Sequence, residues 1–264
     1  MEFKRLFSIF LLLGFFLPAC SSENNPVDST HPTSEEYVPN ENEVAYEAYI
    51  AEIDSDDSLG IGNSLFYSKG NSEFTEVEFY VNDKGEMVKM IESYTQASQT
   101  VAKNIFYLKK GRKFASKELY EVNKNGEFSF VERVTYYDDK EKPLVTKERV
   151  APFEQDLDFE SFKSAKKQDC SMQRALDILD QKGEFNTTYQ GYVKEGGFTY
   201  IIVGGVEADG YTSSLLVQYE DATIKKLMAN EKAMIGTPLI VDFQVVEDAG
   251  EGFEYQILRS IALR

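Results

Sequence analysis

Apolar positions along this chain recur with two periods, and the period changes at recognisable boundaries. Val77, Phe79 and Val81 alternate with Glu76, Glu78 and Tyr80, the two-residue repeat of a strand with one buried and one wet face. Similar strand-like runs occupy 74–81, 87–94, 101–108, 114–122, 128–137 and 144–150. Between them stand short clusters of Asn, Asp, Lys and Gly, including Lys109-Lys110-Gly111 and Asn123-Lys124-Asn125-Gly126, which are hairpin signals. No proline occurs between Pro39 and Pro143, so ladders here run without a missing donor. The pattern predicts an antiparallel β-meander domain spanning 44–152.

Helical spacing appears at three places. Tyr46, Tyr49, Ile50 and Ile53 form the first, with Asn40 and Glu43 spaced as a capping box; the same residues would also suit a first strand. Met172, Ala175, Leu176 and Leu179 mark a second helix within the connection 153–183, beginning near Asp169 or Ser171 and stopped by Gly183. The third is capped by Asp221, continues through Ile224, Leu227 and Met228 to Met234 or Ile235, and is closed by Gly236. Around it lie strand-like runs at 187–194, 198–207, 213–219, 239–246 and 253–262.

Three strands, a helix and two strands over 184–264 resemble the OB-fold, a small five-stranded Greek-key barrel with its helix between strands three and four. Gly191 and the pair Gly204-Gly205 supply the freedom to coil that such a barrel needs. The expected fold class is therefore mainly β, a meander followed by an OB-like barrel with one helix. The resemblance implies ligands on strands two and three and the flanking loops. Tyr192, Tyr200 and Tyr219 are the candidate binding residues there, and each serves equally well as packing in the barrel wall.

The first residues follow a different logic. Lys4 and Arg5 precede an apolar run from Leu6 to Leu17, too short for a bilayer that needs about 20 helical residues. This is the pattern of a secretory signal peptide over 1–19. Leu17-Pro18-Ala19-Cys20 resembles the lipobox of bacterial lipoproteins, with Pro18 departing from the usual small residue. The resemblance implies that Cys20 is the acylated first residue of the mature chain. Ser21 after the Cys implies sorting to the outer membrane of a Gram-negative envelope. Residues 20–43 then carry three prolines, six acids and no base, the composition of an extended acidic tether with a coil reach of roughly 25–30 Å.

Charge and composition narrow the chemistry. Of 264 residues, 28 are Lys or Arg and 45 are Asp or Glu, a net of -17, which offers no field for a polyanion and argues against nucleic acid. The deficit is uneven: residues 44–152 hold 15 bases against 19 acids, and 184–264 hold 6 against 12. The one His, His31, lies in the tether, away from any fixed partner, and removes histidine-based acid–base catalysis. Cys170 stands at the start of the second helix, where a thiol is either an acidified nucleophile or a lone buried group. Without a fixed His the second is preferred, and no cofactor is implied.

Asp54-Ser55-Asp56-Asp57-Ser58-Leu59-Gly60 has the acids of a calcium loop, but Leu59 and Leu65 replace its required Gly and Glu, leaving an acidic turn. Tyr80, Tyr107 and Tyr137 each precede a turn, an echo of either a repeated binding hairpin or, preferably, of strands in one sheet. No nucleophile elbow or phosphate loop occurs. The expected function is that of a non-enzymatic, lipid-anchored envelope protein serving another envelope protein as binding or accessory subunit. Carbohydrate or small-ligand binding is the alternative, disfavoured by the absence of Trp, and a carboxylate-dependent hydrolase the third.

Overall fold

Asn40 closes the capping box read from its spacing with Glu43. The Asn40 side chain accepts the backbone N–H groups of Asn42 at 3.0 Å and Glu43 at 3.2 Å, and the Glu43 carboxylate accepts the Asn40 N–H at 3.1 Å. The resulting helix, α1, spans Glu41–Asp54. These details come from a computed structural model, which describes residues 37–207, 209–247 and 254–264. The signal peptide, Cys20, the tether through Glu36 with His31, Ala208 and residues 248–253 lie outside the described residues.

After α1 come β1 (Gly60–Asn63), β2 (Tyr67–Lys69), β3 (Glu73–Val81), β4 (Met87–Thr95), β5 (Val101–Lys109), β6 (Arg112–Lys124), β7 (Glu127–Tyr137) and β8 (Pro143–Ala151). From β2 to β8 each strand pairs antiparallel with the next, so the meander is present, and β1 pairs with β3. Its hairpins use the expected residues. Asn125 and Gly126 both have positive φ, 58° and 91°, and Lys124 pairs with Glu127, as a two-residue loop requires. The stretch Ser64 to Gly70, assigned no element from sequence, contains β2. A two-residue strand, β9 (Lys163–Ser164), extends the far edge beyond a 3-10 turn at Glu154–Phe159.

The second face of the meander is not simply wet. α1 lies on it, packing Tyr46, Tyr49, Ile50 and Ile53 against Tyr107, Phe114, Val134 and Tyr136. The cross-strand register explains why: Tyr80 pairs with Lys89, Lys89 with Tyr107, Tyr107 with Ala115 and Ala115 with Tyr136, a row that offers the helix an aromatic surface. The third tyrosine of this row is therefore Tyr136. Tyr137 faces the other way, where its hydroxyl accepts the Cys170 N–H at 3.0 Å, so the sequence echo does not form one face.

Beyond α2 (Gln173–Leu179) and a 3-10 turn at Gly183–Phe185 come β10 (Thr188–Glu195), β11 (Phe198–Gly204), β12 (Thr212–Val217), α3 (Ala222–Ala229), α4 (Glu231–Met234), β13 (Leu239–Glu247) and β14 (Glu254–Leu263). α2 begins two to four residues later than expected and lacks a side-chain cap. The long helix expected after Asp221 is broken at Asn230, whose φ of -122° leaves the helical region. The Asp221 cap itself is made, its carboxylate accepting the Ile224 N–H at 2.8 Å. β10, β11 and β12 pair antiparallel, with a bulge at Gly191, whose φ is +130°. β14 pairs antiparallel with β13 and parallel with β12, and Thr188 bridges Pro238 just before β13. At Gly204 a Cβ would lie 2.3 Å from the Tyr211 carbonyl, so only glycine allows the approach.

The architecture is mainly β with one large mixed sheet, because β12 also pairs with β2 through Thr212 and Ser68. The described residues belong to one compact unit. A single buried cluster runs from Tyr67, Val77, Met90 and Phe106 of the meander to Phe185, Tyr189, Ile201, Leu215 and Leu258 of the later strands. The buried Tyr67 hydroxyl donates to the Phe185 carbonyl at 2.8 Å, so the seam carries polar as well as apolar contacts.

Candidate functional site

The strand β12 has two different neighbours along one edge: β2 at Thr212 and β14 at Leu216. Where they part, Gln256 of β14 fills the gap. Its Oε1 accepts the Phe66 N–H at 2.7 Å, and its Nε2 donates to Ser213 Oγ at 3.1 Å and the Ser214 carbonyl at 3.3 Å. A cleft of about 530 Å³ opens beside this junction, a volume in the range of ligand sites. Phe66, Tyr200, Leu216, Val245 and Tyr255 give it apolar and aromatic walls, and Glu76 and Glu254 contribute carboxylates. Phe66 is held by Phe74, with the rings stacked 5.4 Å apart.

The carboxyl of Glu76 lies above the ordinary range. Burial is the main cause, and repulsion from Glu254 and then Glu78 adds to it. Among the described residues no Lys or Arg lines the cleft, and neither Glu76 nor Glu254 has an ion-pair partner within 4.0 Å.

Two other carboxylates embedded in the meander, Glu92 and Glu132, are closely paired, whereas burial also raises the carboxyl of Glu118, whose nearest base, Arg133, lies 4.0 Å away. Glu92, Asn104, Glu118, Arg133 and Glu148 stand directly opposite one another on successive strands. Glu92, 1% exposed, pairs with Arg174 of α2 and accepts from Asn104 at 3.0 Å, and Arg133 reaches Glu148 at 3.1 Å. On the opposite face Glu132 pairs with Lys117 at 3.1 Å and with Arg149. The charged residues of these strands, expected to form a solvated face, thus include buried paired groups. Their ladders hold strands and α2 in register.

The three candidate tyrosines do not converge. Tyr200 lines the junction cleft. Tyr192, opposite Ile201 in the ladder, packs against the core, and Tyr219, 81% exposed, lies over a separate cavity beside Arg259. Cys20 lies outside the described residues. Cys170 is buried, and burial pushes its thiol up to about 12, the reverse of an acidified nucleophile. Asp54, first in the acidic turn, is engaged by Lys89 at 2.7 Å and by the Tyr107 hydroxyl at 2.9 Å. No group of three or more metal-ligating side chains occurs among the described residues.

Sequence reasoning missed Phe66, Glu76, Glu254, Tyr255 and Gln256 as one group. The only signal was the apolar run Leu65-Phe66-Tyr67, which sits between turns and belongs to no alternating strand. Among the described residues no helix is long and apolar enough to cross a membrane. Comparison of the chain with protein-family models, curated proteins and solved structures yields no match.

Proposed function

We propose that this is a non-enzymatic, lipid-anchored cell-envelope protein that docks a segment of another envelope protein in the junction cleft. The cleft carries the reading: an open, aromatic-walled cavity at a seam between strand systems, with polar groups among its lining. The order of basic residues, apolar run and lipobox before Cys20 supports the anchor, attached to the outer membrane through acylated Cys20. The pairing circuit β10–β11–β12–β14–β13, with Thr188 bridging Pro238, supports the OB-like reading of 184–264 beside the meander of 44–152. Tyr200 of β11 and Ser214 and Leu216 of β12 then stand on the strands where that resemblance puts ligands.

Growth with an alkyne analogue of palmitate tests the anchor. The expected result is label on the full-length protein in the membrane fraction, lost in Cys20→Ala. An unlabelled, soluble wild-type protein would overturn it.

One observation favours a second reading. Glu76, with its raised carboxyl, shares a cleft with Glu254, the kind of pair that glycoside hydrolysis employs. Turnover of p-nitrophenyl glycosides that disappears in both Glu76→Gln and Glu254→Gln would replace the binding reading with that one.

A further inference from the structure

We propose that the cleft receives a cationic side chain, a Lys or Arg on the partner's docking segment, at Glu76 and Glu254, with its apolar stem along Phe66, Tyr200 and Tyr255. The inference rests on the docking function proposed above and adds the chemistry of the docked group.

Charge complementarity is the first argument. Among the carboxylates embedded in the meander, Glu92 pairs with Arg174 and Glu132 with Arg149 and Lys117, while Glu118 has Arg133 only at 4.0 Å. Glu76 sits in the same sheet with no such partner among the described residues, and its neighbour across the cleft, Glu254, is another acid. Two carboxylates in a partly desolvated cavity repel, and a cation entering from outside relieves both the repulsion and the desolvation of Glu76.

The walls decide what kind of cation. A divalent metal prefers a shell of six or more oxygen ligands, whereas this cleft sets two carboxylates among three aromatic rings. Aromatic faces attract ammonium and guanidinium groups and accommodate the methylene stems that carry them. The chain already uses that chemistry internally: the Lys89 ammonium lies 5.0 Å from the Tyr80 ring centroid and 5.8 Å from that of Tyr107 while pairing with Asp54. The junction cleft has the acids and rings of such a site and, among the described residues, no cation of its own. A volume of about 530 Å³ accommodates a long side chain with part of the backbone that bears it.

Selection of a random heptapeptide library on the full-length protein in mild detergent tests this. The wild type should enrich Lys or Arg at one position by about tenfold, and the Glu76→Gln/Glu254→Gln double variant should lose that enrichment. Glu254→Gln alone, at an exposed residue, provides the same reading if the double variant unfolds. Enrichment of apolar peptides without a base, lost in Leu216→Asp, would overturn the cation while leaving docking in place. No enrichment by the wild type, or basic enrichment equal in wild type and Glu254→Gln, would overturn the inference, and the first of these would also count against docking.

Discussion

Phe66 donates its backbone N–H to the side chain of Gln256, a residue 190 positions later, at 2.7 Å. The bond spans the place where β2 and β14 diverge from β12, and the same amide holds Ser213. Gln256→Ala removes four hydrogen bonds, two with the Phe66 backbone and one each with Ser213 and Ser214, at a partly exposed site. It should lower the unfolding free energy by about 1–2 kcal/mol in urea titration. A loss below about 0.3 kcal/mol would show that the junction does not depend on this side chain.

Arg174 belongs to α2, yet its guanidinium neutralises Glu92, the least exposed carboxylate of the meander, and also reaches the Tyr211 hydroxyl at 3.3 Å. Arg174→Ala leaves that carboxylate buried without its counter-ion, at an expected cost of about 3–5 kcal/mol in urea titration. Adding Glu92→Gln to it should recover a substantial part of the loss. If the double variant is less stable than Arg174→Ala, the pair is not the reason for the effect.

Tyr189 is fully buried in β10, and its hydroxyl has no hydrogen-bond partner among the described residues. Removing an unsatisfied polar atom while keeping the ring is favourable, so Tyr189→Phe should raise stability by about 1 kcal/mol, read as an increase in Tm. A decrease in Tm would mean that the hydroxyl is satisfied in solution.

Glu76 has a folded-state carboxyl above its unfolded value, because burial and Glu254 disfavour the charge. The folded state therefore holds the proton more tightly than the unfolded chain. Stability from this group is greatest below the unfolded value and falls as pH rises through the raised one. Glu76→Gln should flatten that segment of the stability–pH curve and be favourable at neutral pH. Identical curves for the two proteins would contradict the assignment.

Local features of this fold were legible because their causes lie within a few residues. The Asn40–Glu43 capping box, the Asn125-Gly126 turn, the Asp221 cap and the Gly191 bulge each follow from short-range chemistry. What escaped was the pairing that brings distant segments together. β2 is three residues long, and its Ser68 meets Thr212 across 144 positions, a separation that leaves no periodic trace. Tyr137 shows the same limit on a finer scale: one residue decides which face of a strand a side chain takes, and the aromatic row under α1 continues through Tyr136. The site was half-legible for that reason. Tyr200 follows from the OB-like order, while Glu76 and Gln256 join it only through the β2–β12–β14 junction.

Docking of a partner in the junction cleft predicts a contact specific to its lining. The most direct measurement places a photo-crosslinking amino acid at Leu216, inside the cleft, or at Arg259, beside the separate cavity near Tyr219, in the full-length protein in its own envelope. The expected result is one discrete adduct from position 216, suppressed by Glu76→Gln/Glu254→Gln and absent from position 259. Equal adducts from both positions, or none from 216 while the protein is membrane-bound, would contradict the account.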